Sequence, residues 1–373
     1  MNQFQGLKVL ELASVLAGPS VGQFFAELGA DVVKVENLRT GGDVTRTWKS
    51  AGEKTDDRSA YFCAVNWGKR SIALDLLLPD AQQIVHKLAK RSDIVIASYK
   101  PGDAEKLKVD YLTLSHLNPR VIYGQITGYG PQNPKVGYDA IIQAEAGFMY
   151  MCGMPGGPSL KMPVALIDVL AGHHLKEGLL LAMLERLATG QGKLVDVSLI
   201  QAAITSLANQ ATNWLVANKL PGKQGSAHPN IAPYGDVFIT ADGKELLLAV
   251  GNDRQFADLC RIFGVDDMAK DPMFASNAAR VENRPKLIDT LRSVIAGRSA
   301  PELVAQLDKM KIPGGLIQNM QQVFERPEAR ELVLEENGMR GLRNFAANVS
   351  AKLSLLPPPA LGEHTQEILN ELQ

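Results

Sequence analysis

The chain has 373 residues, of which 46% are hydrophobic and 21% are charged. These values are ordinary for a globular protein and exclude a disordered, collagen-like or disulfide-framework chain. Its 39 basic and 40 acidic residues give a net charge of -1. Such a balance provides no basic field for nucleic acid, so no nucleic-acid partner is expected.

The cysteine content and the first residues of the chain indicate where in the cell the protein is located. Three widely separated cysteines in no paired spacing fit a reducing compartment. The opening MNQFQGLKVLELAS lacks a basic patch followed by an apolar signal core. The longest apolar stretch, around 178–184, is too short to span a bilayer. We therefore expect a cytoplasmic protein without membrane association.

In chain order, the first elements predict a βαβ unit. Residues 7–12 read as a buried strand, Ser20 as a helix cap, and residues 21–28 as a helix that ends at Gly29. Residues 30–35 read as the next strand. The alternation continues with strands over 71–76, 93–98, 119–127 and 194–197, and with helices over 79–89 and 168–187. This order predicts a doubly wound α/β fold.

The longest predicted helix, 168–187, has apolar residues near the 3.6-residue period, at 170, 175, 179, 180, 183, 184 and 187. Beyond Pro221 the chain changes character, because PGKQGSAHPNIAPYG is rich in glycine and proline. Asp242-Gly243 then lies between two strand-like runs, 236–240 and 245–250, which predicts a hairpin. Helices over 254–263 and 285–295 follow.

A length of 373 residues makes two domains the default expectation. We predict a large α/β domain over 1–224, a smaller α+β domain over 225–325, and a return to the large domain over 326–373.

Common catalytic motifs are missing. The loop AGPSVG has only Gly18 and Gly22 and does not match G-x-G-x-x-G. It is either a plain turn or a ligand loop. The six histidines form no metal-ligand pattern, and no G-x-S-x-G elbow occurs. No metal site is expected.

Asp168 stands between an apolar run and the start of the long helix. It can be read as a helix N-cap. It can also be read as a nucleophilic carboxylate that the helix dipole keeps ionised. The residues alone leave both readings open.

Nine segments in order carry a resemblance that covers nearly the whole chain. They are LKVLELASVLAGPSVGQFFAELGADVVKVE, GGDVTRTW, YFCAVNWGKRSIALDL, NPRVIYGQITGYG, GYDAIIQAEAG, ALIDVLAG, GQGKLVDVSLIQAA, ADGKELLLAVGND and LGEHTQEIL. The chain resembles the class III CoA-transferases, to which the α-methylacyl-CoA racemases are related.

The resemblance implies a Rossmann-like large domain built from both chain ends, a smaller domain, and an interlocked homodimer. It makes Asp168 the nucleophile that forms an aspartyl-acyl anhydride, with Asp139 nearby. The partners are an acyl-CoA and a small carboxylic acid, and no cofactor is needed besides the CoA thioester. The implied CoA-binding residues are Val15, Leu16, Ala17, Lys69, Arg70, Leu74, Ser98, Tyr99 and Lys106. Surface salt bridges are the alternative role for Lys69 and Arg70, and a turn is the alternative for Asp139.

Some positions depart from formyl-CoA transferase. Leu16 replaces a glutamine, Asn37 replaces an arginine, and VGND takes the place of a glycine-rich loop. These differences favour an acceptor bulkier than oxalate, such as a succinate-like dicarboxylate. Arg46 is a candidate for binding its distal carboxylate, with a structural ion pair as the alternative.

Two other functions compete with CoA transfer. An acyl-CoA racemase of the same fold is the runner-up, although Tyr138 stands where racemases carry a catalytic histidine. A non-catalytic nucleotide-binding protein is the third possibility.

Overall fold

The structure is a computed structural model that describes residues 3–349 and 352–373. The chain divides into two compact units. The first is built from residues up to Phe148, from Lys161–Lys219 and from Arg330 onward, and the second from Met149–Leu160 and Leu220–Ala329. Met149–Leu160 joins the second unit by contacts that include the Gly225 N–H donating to the Gly153 carbonyl. The domain boundaries drawn after 224 and 325 stay predictions.

Parallel and antiparallel sheets are separated along the chain. The strands are β1 (Lys8–Leu12), β2 (Asp31–Asn37), β3 (Lys69–Leu74), β4 (Ile94–Ala97), β5 (Ile122–Thr127), β6 (Leu194–Ser198), β7 (Tyr234–Ile239), β8 (Glu245–Ala249), β9 (Gly314–Leu316), β10 (Val333–Glu336) and β11 (Met339–Leu342). The first six form one parallel sheet in the order β3-β2-β1-β4-β5-β6, whereas β7-β8-β9 and β10-β11 are antiparallel. The α/β prediction is therefore confirmed.

The helices are α1 (Ala17–Glu27), α2 (Ala60–Cys63), α3 (Pro79–Arg91), α4 (Asp103–Lys106), α5 (Tyr111–Leu117), α6 (Asp139–Glu145), α7 (Phe148–Met151), α8 (Leu166–Thr189), α9 (Leu199–Thr205), α10 (Ala208–Leu215), α11 (Asp253–Phe263), α12 (Asn277–Glu282), α13 (Arg284–Ile295), α14 (Ala300–Lys309), α15 (Met320–Glu325), α16 (Pro327–Arg330) and α17 (Thr365–Glu371). Short 3-10 turns lie at Leu38–Thr40, Val44–Thr47 and Asp266–Ala269.

The central strands of the parallel sheet are buried on both faces, and this is why they read as apolar runs. In β1, Val9 belongs to one hydrophobic core and its neighbour Leu10 to the other. In β4, Ile94 and Val95 alternate between the same two cores. The period-2 geometry of a strand sends successive side chains to opposite faces.

The first helix begins earlier than its sequence suggests. We predicted that it starts at Val21 with Ser20 as its cap, but α1 begins at Ala17 and Leu16 is its N-cap. Pro19 read as a turn residue, yet proline is tolerated in the first turn of a helix. Ser20 lies inside that turn, and its hydroxyl donates to the Ala17 carbonyl at 2.8 Å.

A crevice is expected where neighbouring strands send the chain to opposite faces of the sheet. The chain leaves β1 through α1, whose Val21 packs in one core, and leaves β4 toward α5, whose Leu114 packs in the other. β1 and β4 are adjacent. The carboxyl ends of these two strands therefore flank the natural place for a ligand.

Candidate active site

The start of α8 holds the predicted nucleophile. Ala165 is the N-cap of this helix and makes no side-chain cap bond, and Asp168 lies in the first turn. The N-cap reading of Asp168 is therefore wrong. Asp168 is only 8% exposed, and within residues 3–349 and 352–373 nothing hydrogen-bonds its carboxylate.

Asp139 takes the capping role that we had considered for Asp168. Its Oδ1 accepts the Ile167 N–H at 2.8 Å, and its Oδ2 accepts the side-chain amide of Gln143 at 2.7 Å. The Gln143 amide oxygen in turn accepts the Met162 N–H at 2.9 Å. Asp139, at the start of α6, thus ties the segment before α8 to its own helix.

The environment of Asp168 raises its pKa to about 7, first because burial disfavours the charged carboxylate and second because Asp139 is negative. The helix dipole, which one reading of the sequence invoked to keep Asp168 ionised, does not offset these two effects. The dipole contributes about 0.3–1 kcal/mol at a surface site, less than burial and a neighbouring carboxylate together. The ionised form of such a carboxylate is more basic than that of an ordinary aspartate, and its lone pairs are free for attack because no donor among the described residues binds them.

Tyr61 is a site residue that sequence reasoning missed. Burial raises the pKa of its phenol, and the negative charges of Asp168 and Asp139 raise it further. The phenol therefore lies within electrostatic reach of both carboxylates. Its ring packs edge-on against Trp48, with 5.1 Å between ring centroids. The only signal was its place in the segment YFCAVNWGK, to which we gave no role.

The loop between β1 and α1 is fixed by three side chains. The Lys34 ammonium donates to the Ala13 carbonyl at 2.8 Å, the Ser14 N–H donates to Ser98 Oγ at 3.1 Å, and the Val15 N–H donates to the Asp43 carboxylate at 3.2 and 3.3 Å. This brings the predicted residues Val15 and Ser98 to one place. The assignment of Val15–Ala17 to CoA binding stays a prediction.

The first turn of α1 lies against α8. A Cβ atom at Gly172 would come within 2.6 Å of Ser20 Oγ and 3.2 Å of the Ala17 carbonyl oxygen. Gly172 is one helical turn after Asp168. The close approach that glycine permits thus brings the beginning of α1 alongside the nucleophile's helix.

A cavity of about 560 Å³ opens at the carboxyl ends of β1, β2, β3 and β4. Its walls come from these strand ends and the loops that follow them. The lining residues are Leu12, Ala13, Ser14, Lys34, Val35, Glu36, Asn37, Thr40, Gly42, Asp43, Val44, Thr47, Asp75, Leu76, Leu77, Tyr99 and Leu107. Of the predicted CoA-binding residues, Tyr99 lines it directly, whereas Leu74, Ser98 and Lys106 are chain neighbours of lining residues.

One cation at this cavity was also missed. Arg39 is largely exposed, and its guanidinium lies 3.8 Å from the carboxylate of Asp75, a lining residue. Lys34 also lines the cavity, but its ammonium binds Glu11 and Asp43, each at 3.0 Å.

The predicted cations Lys69 and Arg70 have other partners. Lys69 is fully buried, and its ammonium donates to Glu11, to the Pro19 carbonyl and to Asn66. Burial lowers the pKa of Lys69 to about 8 even though Glu11 opposes this effect. Arg70 forms ion pairs with Asp31, Glu367 and Glu371. It lies near the amino end of β3, away from the cavity, so the structure does not bring these two cations to it.

Arg46 is a structural residue. Its guanidinium binds both carboxylate oxygens of Glu36, at 2.8 and 2.6 Å, and also Asp57, and it lies over the Phe62 ring. The side chain is buried, and none of these groups is a ligand. The ion-pair alternative fits this geometry, and the role of Arg46 as an acid-binding residue is not supported.

No group of three or more His, Cys, Asp or Glu side chains in the part of the chain that the structure describes is arranged to hold a metal ion. None of the helices described above is long and apolar enough to cross a membrane.

Comparisons with known proteins agree over the whole chain. The family model described as CoA-transferase family III matches residues 4–365. A succinate–glutarate CoA-transferase of Agrobacterium fabrum is 38% identical, over 99% of this chain and 95% of that protein. A human succinyl-CoA:glutarate CoA-transferase is 32% identical, over 100% of this chain and 86% of that protein. The crystal structure of a CAIB/BAIF family protein from Brucella suis is 37% identical, with a TM-score of 0.89 and complete coverage of both chains.

Proposed function

The chain belongs to CoA-transferase family III and is a CoA-transferase, and from this premise we propose that it works through a covalent aspartyl-acyl anhydride on Asp168. The observation that carries the proposal is the state of this carboxylate. It is buried in the first turn of α8, has a pKa raised to about 7, and has no hydrogen-bond donor among the described residues.

In the proposed reaction, an Asp168 oxygen attacks the thioester carbonyl carbon, the C–S bond breaks, and CoA leaves as its thiolate. An oxygen of the acceptor carboxylate then attacks the Cγ carbonyl carbon of the aspartyl anhydride, the bond from Cγ to the donor oxygen breaks, and the donor acid leaves as its carboxylate. The returning thiolate attacks the acceptor's carbonyl carbon and releases the Asp168 carboxylate. The net change is one thioester and one carboxylate for another pair, so no oxidant or metal is required. We therefore propose that the reaction needs no cofactor besides the CoA thioester itself.

Asp139 acts beside the nucleophile in this proposal. Its negative charge raises the basicity of Asp168, and its bond to the Ile167 N–H holds the backbone just before the nucleophile. We assign Tyr61, whose pKa is raised by burial and further by the two carboxylates, as a candidate donor to the carbonyl oxygen that becomes negative during attack.

CoA would occupy the cavity at the carboxyl ends of β1–β4, in a Rossmann-like arrangement of the parallel sheet. Leu76, Leu77 and Tyr99 offer apolar and aromatic surface for adenine, and Arg39 at the mouth offers a charge for phosphate. Val15–Ala17, Leu74, Ser98 and Lys106 remain in the proposed site, whereas Lys69, Arg70 and Arg46 do not.

The acids we propose are short dicarboxylates. Both relatives described above carry succinate or succinyl-CoA together with glutarate in their names. Leu16, at the N-cap of α1, gives the first loop an apolar side chain instead of an amide. No observation favours the racemase alternative. Racemases carry a catalytic histidine where this chain has Tyr138, and Tyr138 is 59% exposed at the N-cap of α6.

We also propose an interlocked homodimer in the cytoplasm. In its support, α8 and α10 expose large apolar residues, among them Leu184 and Leu187 on α8 and Trp214 and Leu215 on α10. The three cysteines are free thiols, which fits a reducing compartment.

The nucleophile is tested by replacement and trapping. Asp168→Asn keeps the size and polarity of the side chain but cannot form the anhydride, so exchange between succinyl-CoA and glutarate should fall by at least about 1,000-fold. Hydroxylamine added to the wild-type protein with succinyl-CoA should convert residue 168 to its hydroxamate, seen by peptide mass spectrometry. A hydroxamate at another carboxylate, or full exchange by Asp168→Asn, would contradict the mechanism.

Acceptor choice is tested in competition. With succinyl-CoA as donor and equal concentrations of glutarate and oxalate, we expect glutaryl-CoA to exceed oxalyl-CoA by at least about tenfold. Liquid chromatography of the CoA esters measures the ratio. Equal products, or an excess of oxalyl-CoA, would overturn the dicarboxylate proposal while leaving CoA transfer itself intact.

A further inference from the structure

Val15 adopts an unusual backbone conformation. Its φ of 73° lies in the left-handed region, which β-branched residues rarely occupy. Val15 lies in the loop between β1 and α1, just before the N-cap residue Leu16. A residue held in such a conformation needs surrounding contacts that keep it there.

The Asp43 carboxylate is the contact that holds Val15. Both of its oxygens accept the Val15 N–H, at 3.3 and 3.2 Å. One oxygen also accepts the Thr45 N–H and hydroxyl, and the other lies 3.0 Å from the Lys34 ammonium. Lys34 and Asp43 are both buried.

The segment that carries Asp43 is itself fixed. The Asp43 N–H donates to Glu36 Oε2 at 3.0 Å, and Arg46 binds both oxygens of the same carboxylate. Two buried ionic contacts therefore hold the motif GGDVTR, Asp43 with Lys34 and Arg46 with Glu36. A carboxylate held in this way has little freedom to follow a moving loop.

The held loop leads directly into the candidate active site. It begins α1, whose Ala17 and Ser20 lie against Gly172, one turn after Asp168. A shift of the Val15 backbone would move the start of α1 relative to the nucleophile. Small displacements of the groups that position a reaction lower its rate by a large factor.

We propose that Asp43 is a positioning residue for CoA transfer. By binding the Val15 N–H, it holds the start of α1 in a fixed position relative to Asp168. This inference rests on the proposed function of Asp168. Asp43 touches the loop and not the nucleophile, so its removal slows the first chemical step without removing the reacting groups.

The test is the single-turnover rate at which succinyl-CoA acylates Asp168, trapped with hydroxylamine, in Asp43→Ala, Val15→Gly and the double variant. At saturating succinyl-CoA, Asp43→Ala should slow acylation about 30-fold. Glycine adopts a positive φ without cost. The same Asp43 substitution should therefore slow acylation by less than about fivefold in the Val15→Gly background.

The matched control is Asp57→Ala, since Asp57 pairs with Arg46 in the same network, is partly exposed, and does not contact Val15. Its acylation rate should equal that of the wild type. Should Asp43→Ala fail to fold, Asp43→Glu keeps the charge near Lys34 but displaces the carboxylate, and it should slow acylation at least about tenfold.

Three results would overturn the inference: wild-type acylation in a folded Asp43 variant, an equal loss in both Val15 backgrounds, or an equal loss in Asp57→Ala. Absence of any hydroxamate at residue 168 in the wild-type protein would instead refute the proposed function. The two failures are therefore distinguishable.

Discussion

At the scale of residues, the carboxylates of Asp139 and Asp168 differ in their hydrogen bonding. Asp139 accepts two hydrogen bonds, whereas Asp168 lacks a partner among the described residues and has a pKa raised to about 7 by burial and by Asp139. Protonated Asp168 cannot attack, so kcat/KM for the acyl-CoA donor should rise with pH below about 7 and level off above it.

Asp139→Asn tests the cause of that pH profile. The amide oxygen still accepts the Ile167 N–H, but the negative charge beside Asp168 is gone, so the pKa of Asp168 falls. We expect the inflection of kcat/KM to move to lower pH than in the wild type, measured with one donor from pH 4 to 9. A wild-type inflection near 3.9, the usual pKa of an aspartate, would contradict the raised pKa.

The place of Asp168 at the start of a helix was predictable, because an apolar run followed by a helical pattern marks that boundary. Its electrostatics were not, since they depend on Asp139, 29 positions earlier in the chain. The same limit explains Lys69. Its sequence context left CoA binding and a surface salt bridge both open, but in the structure its side chain lies in the interior beside Glu11 of another strand. Pairings between distant positions leave no periodic signal.

At the scale of elements, helix α8 connects the candidate active site with the hydrophobic core. Ile167, Ala171, Leu175, Leu179 and Ala182 form its buried stripe. Two of these residues press on β5, since a Cβ at Gly124 would lie 3.0 Å from the side chains of both Leu175 and Leu179. The helix that carries the nucleophile is therefore seated on the sheet without intervening space.

Leu175→Ala should lower the free energy of unfolding by about 2–5 kcal/mol, because the neighbours of a buried leucine only partly fill the space it leaves. Leu112→Ala, at a leucine that is mostly exposed on α5, is the control and should change it by less than about 0.5 kcal/mol. Urea unfolding followed by circular dichroism measures both. Equal losses would show that Leu175 is not part of the core.

Apolar periodicity predicted the existence of α8 but not which of its apolar residues are buried. Leu184 and Leu187 fit the helical period, yet they are 63% and 84% exposed. A second apolar stripe on one helix cannot be told from a core stripe by spacing alone. The strands were easier, because a parallel strand buried on both faces is largely apolar, although β1 and β2 also bury Glu11, Lys34 and Glu36.

At the scale of the whole molecule, that second stripe bears on assembly. Burying a leucine stabilises an interface by about 1.5–3 kcal/mol. Leu184→Glu combined with Leu187→Glu should therefore weaken the proposed dimer enough for monomers to appear at micromolar concentration in sedimentation velocity. Leu112→Glu should leave the sedimentation coefficient of the wild type unchanged. Wild-type protein that sediments as a single chain would refute the dimer.

The glycine at position 22 has a consequence for how such sequences can diverge. A Cβ atom there would come within 1.8 Å of Glu11 Oε2, so the buried carboxylate fits only beside a bare backbone. Removing Glu11 alone would leave the buried Lys69 ammonium without its carboxylate partner, a change that destabilises proteins strongly, whereas Lys34 keeps its ion pair with Asp43. A side chain can therefore enter position 22 only if Glu11 and Lys69 change with it. Among homologous sequences, we expect these three positions to be inherited or lost as a set.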